Sequence, residues 1–204
     1  MAAPTGKNTN LNAIPRGQKV FFWYGVTVNA DGSIAVDPTA PGYLVNTGVS
    51  PAHPNGRCIG YTQDGSILSF KATAEDLPVD QEDEPIGESY IGKESHIKTS
   101  MLQILDFDNV AALTPGMSAV SGTGWHGVAD GNLPSFTLVP VAAVALLPSD
   151  PTRVQVQLIY AGKNVAEFNA HLAKQYGKTP LDIMGRTSGR SDGRTCMWYT
   201  TDAA

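Results

Sequence analysis

Apolar and polar positions along this chain alternate mostly with period two, which predicts strands rather than helices. Residues 20–28 are rich in β-branched and aromatic side chains and read as a first strand. Asn29-Ala30-Asp31-Gly32 then predicts a hairpin turn, with a short return strand over 33–36. Residues 37–58 carry Pro38, Pro41, Gly42, Pro51, Pro54 and Gly56 and read as a long irregular loop. A turn signal follows at Gly60 to Gly65, and residues 66–72 alternate again, with Leu68, Phe70 and Ala72 on one side.

A second alternating run covers 94–105. It puts Ile97, Thr99, Met101, Gln103 and Leu105 on one face and His96, Lys98, Ser100, Leu102 and Ile104 on the other. Asp106 or Asp108 can cap a short helix through Val110, Ala111 and Leu113, stopped at Pro115-Gly116. Residues 117–133, rich in Gly and Ser, read as a second loop region. Residues 136–147 are almost wholly apolar, and Pro140 favours buried strand over helix. Residues 152–160 give the clearest strand, with Gln155 and Gln157 on an outer face that suits a semi-exposed or interface surface. Residues 166–176 fit both periods. Residues 181–184 and 195–200 read as the last strands, separated by a hairpin loop over 188–193.

The 204 residues suit a single domain over 20–204, preceded by a polar arm over 1–19 that is too poor in apolar residues to bury much. With 21 glycines and 14 prolines, the chain reads as many turns and short strands. Its net charge of −5 argues against a binder that relies on contacts to nucleic-acid phosphates. Cys58 and Cys196 are too few and too far apart for a disulfide framework or a zinc site, and suit a reducing compartment. No apolar run reaches the roughly 18–20 residues of a membrane helix. Lys7, Arg16 and Lys19 ahead of the apolar run 20–28 imitate a signal peptide, but Trp23, Tyr24, Gly25 and Thr27 suit a strand better.

Catalytic chemistry finds little support. Gly122-Thr123-Gly124-Trp125-His126-Gly127 matches the dinucleotide fingerprint in letters, but the loop-like residues after it do not supply the helix whose amides would hold a pyrophosphate. His53, His96, His126 and His171 lack metal-ligand spacing, and no serine sits in a nucleophile elbow. No cofactor is expected. One stretch carries weight: Glu75, Asp76, Asp80, Glu82, Asp83, Glu84 and Glu88 fall close together. Asp80, Glu82 and Glu84 alternate like calcium ligands, but Pro85 and a missing central glycine break that pattern. The run reads either as a solvated charged face or as an anionic surface that meets DNA without binding it.

The order of these features resembles the tail tube (major tail) proteins of long-tailed bacteriophages. The resemblance rests on the strand at 21–28, Cys58-Ile59-Gly60-Tyr61-Thr62-Gln63-Asp64-Gly65 opening an acidic strand, and residues 98–105 leading into Asn109-Val110-Ala111-Ala112-Leu113. It continues through Tyr160-Ala161-Gly162-Lys163, Phe168-Asn169-Ala170-His171-Leu172 and Pro180-Leu181-Asp182-Ile183. It implies a mainly β fold, a two-sheet sandwich or half-barrel with one short helix and long loops, and makes 166–176 strand. It implies a non-enzymatic subunit of stacked hexameric rings that conduct DNA, found in the virion and assembled in the host cytoplasm. Partners would be further copies, other tail proteins and DNA passing without specific binding, with no membrane. Asp80, Glu82, Asp83 and Glu84 become candidates for a DNA-facing surface, with the outer surface as the alternative. Asn8, Asn10, Arg16, Pro51 and His53 become candidates for contacts between rings. Two competitors stay open: a distal tail, neck or decoration protein of similar fold, and a carbohydrate-binding sandwich using Trp125, Trp198 and Tyr199 as stacking platforms.

Overall fold

The computed structural model describes residues 20–39, 43, 57–59, 62–76, 88–101, 107–131, 138–147, 150–167, 179–187 and 189–201. They form ten strands and one helix: β1 (Val20–Tyr24), β2 (Arg57–Cys58), β3 (Thr62–Asp76), β4 (Glu88–Met101), α1 (Phe107–Leu113), β5 (Met117–Gly122), β6 (Trp125–Asp130), β7 (Val139–Leu147), β8 (Asp150–Asn164), β9 (Thr179–Gly185) and β10 (Cys196–Thr200). The protein is mainly β, and every pairing is antiparallel. Eight strands share one sheet in the order β2-β1-β7-β8-β9-β4-β3, with β10 also on β8, while β5 and β6 form a separate hairpin.

Two buried clusters show how this sheet folds over. Alternation along β1, β7 and β8 gives the central strands two apolar faces. One face supplies Phe21, Trp23, Ala142, Val144, Val156 and Leu158, covered by Val26, Ile34 and Tyr43 with Met197 and Tyr199 of β10. The other face supplies Phe22, Val141, Ala143 and Ile159, packed against Ile97, Leu181 and Ile183 of β4 and β9 and against Val110 and Leu113 of α1. The two layers are therefore parts of one curled sheet. Gln157, expected on a semi-exposed face, is half-buried and accepts a hydrogen bond from the Ser66 hydroxyl of β3 at 2.8 Å, which ties one layer to the other.

The structure corrects several expectations. Residues 33–36 form no return strand, because the local donors are taken by other groups. The Ser33 amide and hydroxyl both donate to Asp31 Oδ1, and the Ile34 amide donates to the Tyr199 hydroxyl. Residues 117–133 are not all loop, since β5 and β6 pair from Met117↔Asp130 to Gly122↔Trp125. Strands are not uniformly short either: β3 and β8 have 15 residues each. Glycine bends β3–β4 rather than ending it. The Asp64-Gly65 signal lies at a register shift inside β3, with Gly65 at φ 70°, and Gly92 lies at a second shift. Residues 188–193 are not a hairpin loop, because β9 and β10 both pair with β8 and not with each other. Pro140 lies at the irregularity between Val139 and Val141, where a missing donor does least harm to the ladder.

Other expectations hold. The helix runs from Phe107 to Leu113 with Asp108 in its first turn. Ile97 is buried while Lys98 is exposed, as the alternation of β4 requires. The expected strand over 166–176 falls largely outside the described residues.

Candidate assembly surface

The most exposed secondary structure is the outer part of the β3–β4 pair. β9 accompanies β4 only from Ser95 to Met101. Beyond Ser95, residues Glu88 to Glu94 pair with β3 alone among the described residues, from Lys71↔Glu94 to Asp76↔Glu88. A two-stranded ribbon thus runs past the end of the sheet. Phe70, Lys71, Ala72, Ala74 and Glu75 are exposed on one strand, and Gly92, Lys93 and Glu94 on the other. A bare two-stranded ribbon is marginal in water. Its root is held by the Lys93 ammonium donating to the Gly193 carbonyl and by the buried Ser95 hydroxyl donating to Thr195 Oγ1 at 3.2 Å.

β3 stands last in the sheet and has β4 as its only strand neighbour among the described residues. β10 likewise pairs only with β8. Such borders carry main-chain donors and acceptors that can pair with another chain. Large apolar side chains are exposed on the same two strands: Ile67 at 64% and Phe70 at 59% on β3, and Trp198 at 65% on β10.

The outward face of β9, β4 and β3 is polar. Cross-strand register places Asp182, Lys98 and Ile67 in one row and Met184, His96 and Ser69 in the next, with Lys163 of β8 beside Met184. Asp182 sits between two side chains, with His96 Nδ1 at 2.6 Å from Oδ1 and Lys98 Nζ at 3.4 Å from Oδ2. A further row pairs Lys71 with Glu94, and Arg186 follows directly after β9. Sequence reasoning placed His96 and Lys98 on one face but could not assemble this surface. Lys71, Lys163 and Asp182 join it only through pairings between distant segments.

The loop before β10 is fixed by its own charges. Arg190 donates to both carboxylate oxygens of Asp192, and the Arg194 amide donates to Asp192 Oδ1 at 3.0 Å. The Arg190 hydrogen bond, then that amide, hold the Asp192 carboxyl down to about 2. The Arg190 guanidinium also lies 4.6 Å from the centre of the Tyr160 ring. Burial raises the pKa of the Tyr160 and Tyr199 phenols.

Asp80, Glu82, Asp83 and Glu84 lie outside the described residues, as do Asn8, Asn10, Arg16, Pro51 and His53. The structure therefore brings none of these together. It places the two ends of the acidic run, since Glu75 is exposed near the end of β3 and Asp76 pairs in register with Glu88. The dinucleotide-like glycines belong to the β5–β6 hairpin. Gly124 is at its turn with φ 81°, and the Trp125 indole lies against Gly122. Trp198 and Tyr199 project to opposite faces of β10, one exposed and one packed into the core, so they cannot form one stacking platform. Among the described residues no group of His, Cys, Asp or Glu could hold a metal ion, and no helix is long and apolar enough to cross a membrane. No family model matches the chain, and no curated protein matches it.

Proposed function

We propose that this protein is a structural, non-enzymatic subunit that builds phage tail tubes from stacked hexameric rings. One observation carries the reading: β3 ends the sheet with β4 as its only strand neighbour among the described residues, and continues along an exposed ribbon. Exposed Ile67 and Phe70 on that strand, and Trp198 on β10, add apolar area that a further copy can cover. A closed ring removes such borders, and curled antiparallel sheets suit that closure. DNA passes along the lumen without specific binding, in keeping with the acidic balance of the chain. The subunit acts in the virion, after assembly in the host cytoplasm alongside other tail proteins.

Negative-stain microscopy of the concentrated, purified protein tests the reading. Long tubes are the expected result. Single rings would point instead to a neck or distal tail component, and a strictly monomeric sample would overturn assembly altogether.

A further inference from the structure

The β5–β6 hairpin stands outside the main sheet, and its strands pair only with each other among the described residues. Its root is anchored, because Met117 and Val128 pack against the second core cluster. From Ser121 to His126 every residue is exposed. Exposed strands ordinarily carry charges that keep them soluble and discourage pairing with other chains. Here residues 109–129 hold no Asp, Glu, Lys or Arg, and His126 is their one titratable side chain. The next such run, 131–149, contains β7, whose middle is buried, so its lack of charge is ordinary. The hairpin has no such reason.

Trp125 stands at the tip and is 56% exposed. Its indole lies across Gly122, the residue opposite it in the ladder, where an added methyl group would strike Nε1 and come within 2.6 Å of Cε2. The hairpin's own backbone thus braces part of the ring and leaves the rest to solvent. A tryptophan held this way loses little rotamer freedom on docking, and such residues dominate the energetics of protein interfaces.

We infer that the β5–β6 hairpin is an arm that places Trp125 against the β3 border of a neighbouring copy. The inference rests on the assembly reading and names the elements that meet. Charge decides the class of partner. An arm without Lys or Arg has nothing with which to neutralise the phosphates of nucleic acid or of an anionic lipid surface. A hairpin tip projects, whereas small-molecule sites are concave. What suits it is protein surface poor in charge and rich in large apolar side chains. The chain displays that surface itself: residues 65–70 of β3 hold no charge and expose Ile67 and Phe70. Trp125, Ile67 and Phe70 are all exposed within one copy, so the arm does not cover its own border. Arm and border are different parts of one subunit, and their contact repeats head to tail.

The size of the contact sets how it works. Aromatic side chains bury about 150–250 Å² each, so Trp125 against Phe70 and Ile67 falls at the low end of specific interfaces, under about 1,200 Å² in total. One such contact holds two copies weakly. A ring in which each subunit gives one arm and receives another holds them firmly.

Two experiments on the full-length protein test this. In the first, photoreactive benzoylphenylalanine replaces Trp125, the protein is mixed at high concentration with an isotope-labelled copy, and irradiated peptides are read by mass spectrometry. Links from position 125 to residues 65–72 of the other copy are expected. Links confined to one copy, or links to another copy away from β3, would overturn the proposal. Capture by lipid alone, when phosphatidylcholine–phosphatidylglycerol vesicles are added, would give the tip to a membrane surface and overturn it too.

The second experiment is a mutant cycle on the concentration at which assembly begins. Trp125→Ser and Phe70→Ser are each expected to raise it about tenfold or more, and the double variant is expected to be little worse than either. Effects that multiply would place the two residues in separate contacts and overturn the docking, while the tube reading stands. If wild type forms neither rings nor tubes, the tube reading fails, and the cross-links between copies still decide the docking.

Discussion

Gly162 and Gly185 stand opposite each other where β8 meets β9, the corner at which the sheet passes from one layer to the next. Neither tolerates a side chain. A methyl group on Gly162 would come within 2.6 Å of the Ile183 Cγ2 atom and 3.2 Å of the Ile159 Cγ2 atom, and one on Gly185 would strike the Ser95 hydroxyl. That hydroxyl cannot simply swing aside, because it is buried and donates to Thr195. Gly185→Ala is expected to cost about 1–3 kcal/mol, the usual range for overpacking. In a Ser95→Ala background the added cost falls, since the struck atom is gone. A double-mutant cycle by urea denaturation measures this, and strictly additive costs would contradict the assigned clash.

The Tyr199 hydroxyl accepts a hydrogen bond from the Ile34 amide at 2.8 Å, and Ile34 is buried. Tyr199→Phe leaves that amide without its acceptor. A loss of about 1–3 kcal/mol is expected, the penalty for a buried donor left unmade. The denaturation midpoint falls while the slope is unchanged. A neutral result would mean the amide finds another acceptor.

Asp192 supplies a pH signature. Its carboxyl is held down to about 2 by Arg190 and the Arg194 amide, below its ordinary 3.8. A depressed folded-state value contributes stability above the unfolded pKa that is lost as pH falls through the folded one. Asp192→Asn is therefore expected to lower Tm by a constant amount at neutral pH. The gap between the two proteins should narrow as pH drops from about 4 and close near 2. A gap that stays constant down to pH 2 would show that the carboxylate charge is not what holds this loop.

Ile67 tests the open border. It is 64% exposed, so Ile67→Lys should change subunit stability by no more than about 0.5 kcal/mol. A lysine on an edge strand opposes pairing with another chain. Thermal unfolding unchanged, with assembly lost by sedimentation and microscopy, is the expected pair of results. Unimpaired tubes would remove β3 from the contact between subunits.

Much of the β content was legible because alternation is a local property. The alternation of β8, from Val154 through Leu158, and the split of Ile97 from Lys98 on β4 needed no knowledge of partners. What escaped was set by distant partners or by competing donors. Ser33 to Val36 has strand-like residues, yet Asp31 and Tyr199 take its amides. Gln157 alternates as an outward residue, but its outward side faces the second layer and Ser66. The hairpin β5–β6 lacks a run of branched residues and so read as loop, although Gly124 supplies the turn its pairing requires. The charged β9–β4–β3 face was invisible for a related reason, since Lys71, Lys98, Lys163 and Asp182 come from four different strands.

The pairing of β1 with β7 has a consequence for synthesis. Val20 leaves the ribosome early, yet its ladder partner is Ala145. At roughly 5–20 residues per second, translation keeps that first strand waiting on the order of ten seconds. Throughout that interval Phe21 and Phe22 lack their ladder partners Val144 and Ala143 on β7. The nascent chain is expected to engage a holding chaperone at its amino-terminal end, and release of that segment should follow emergence of β7.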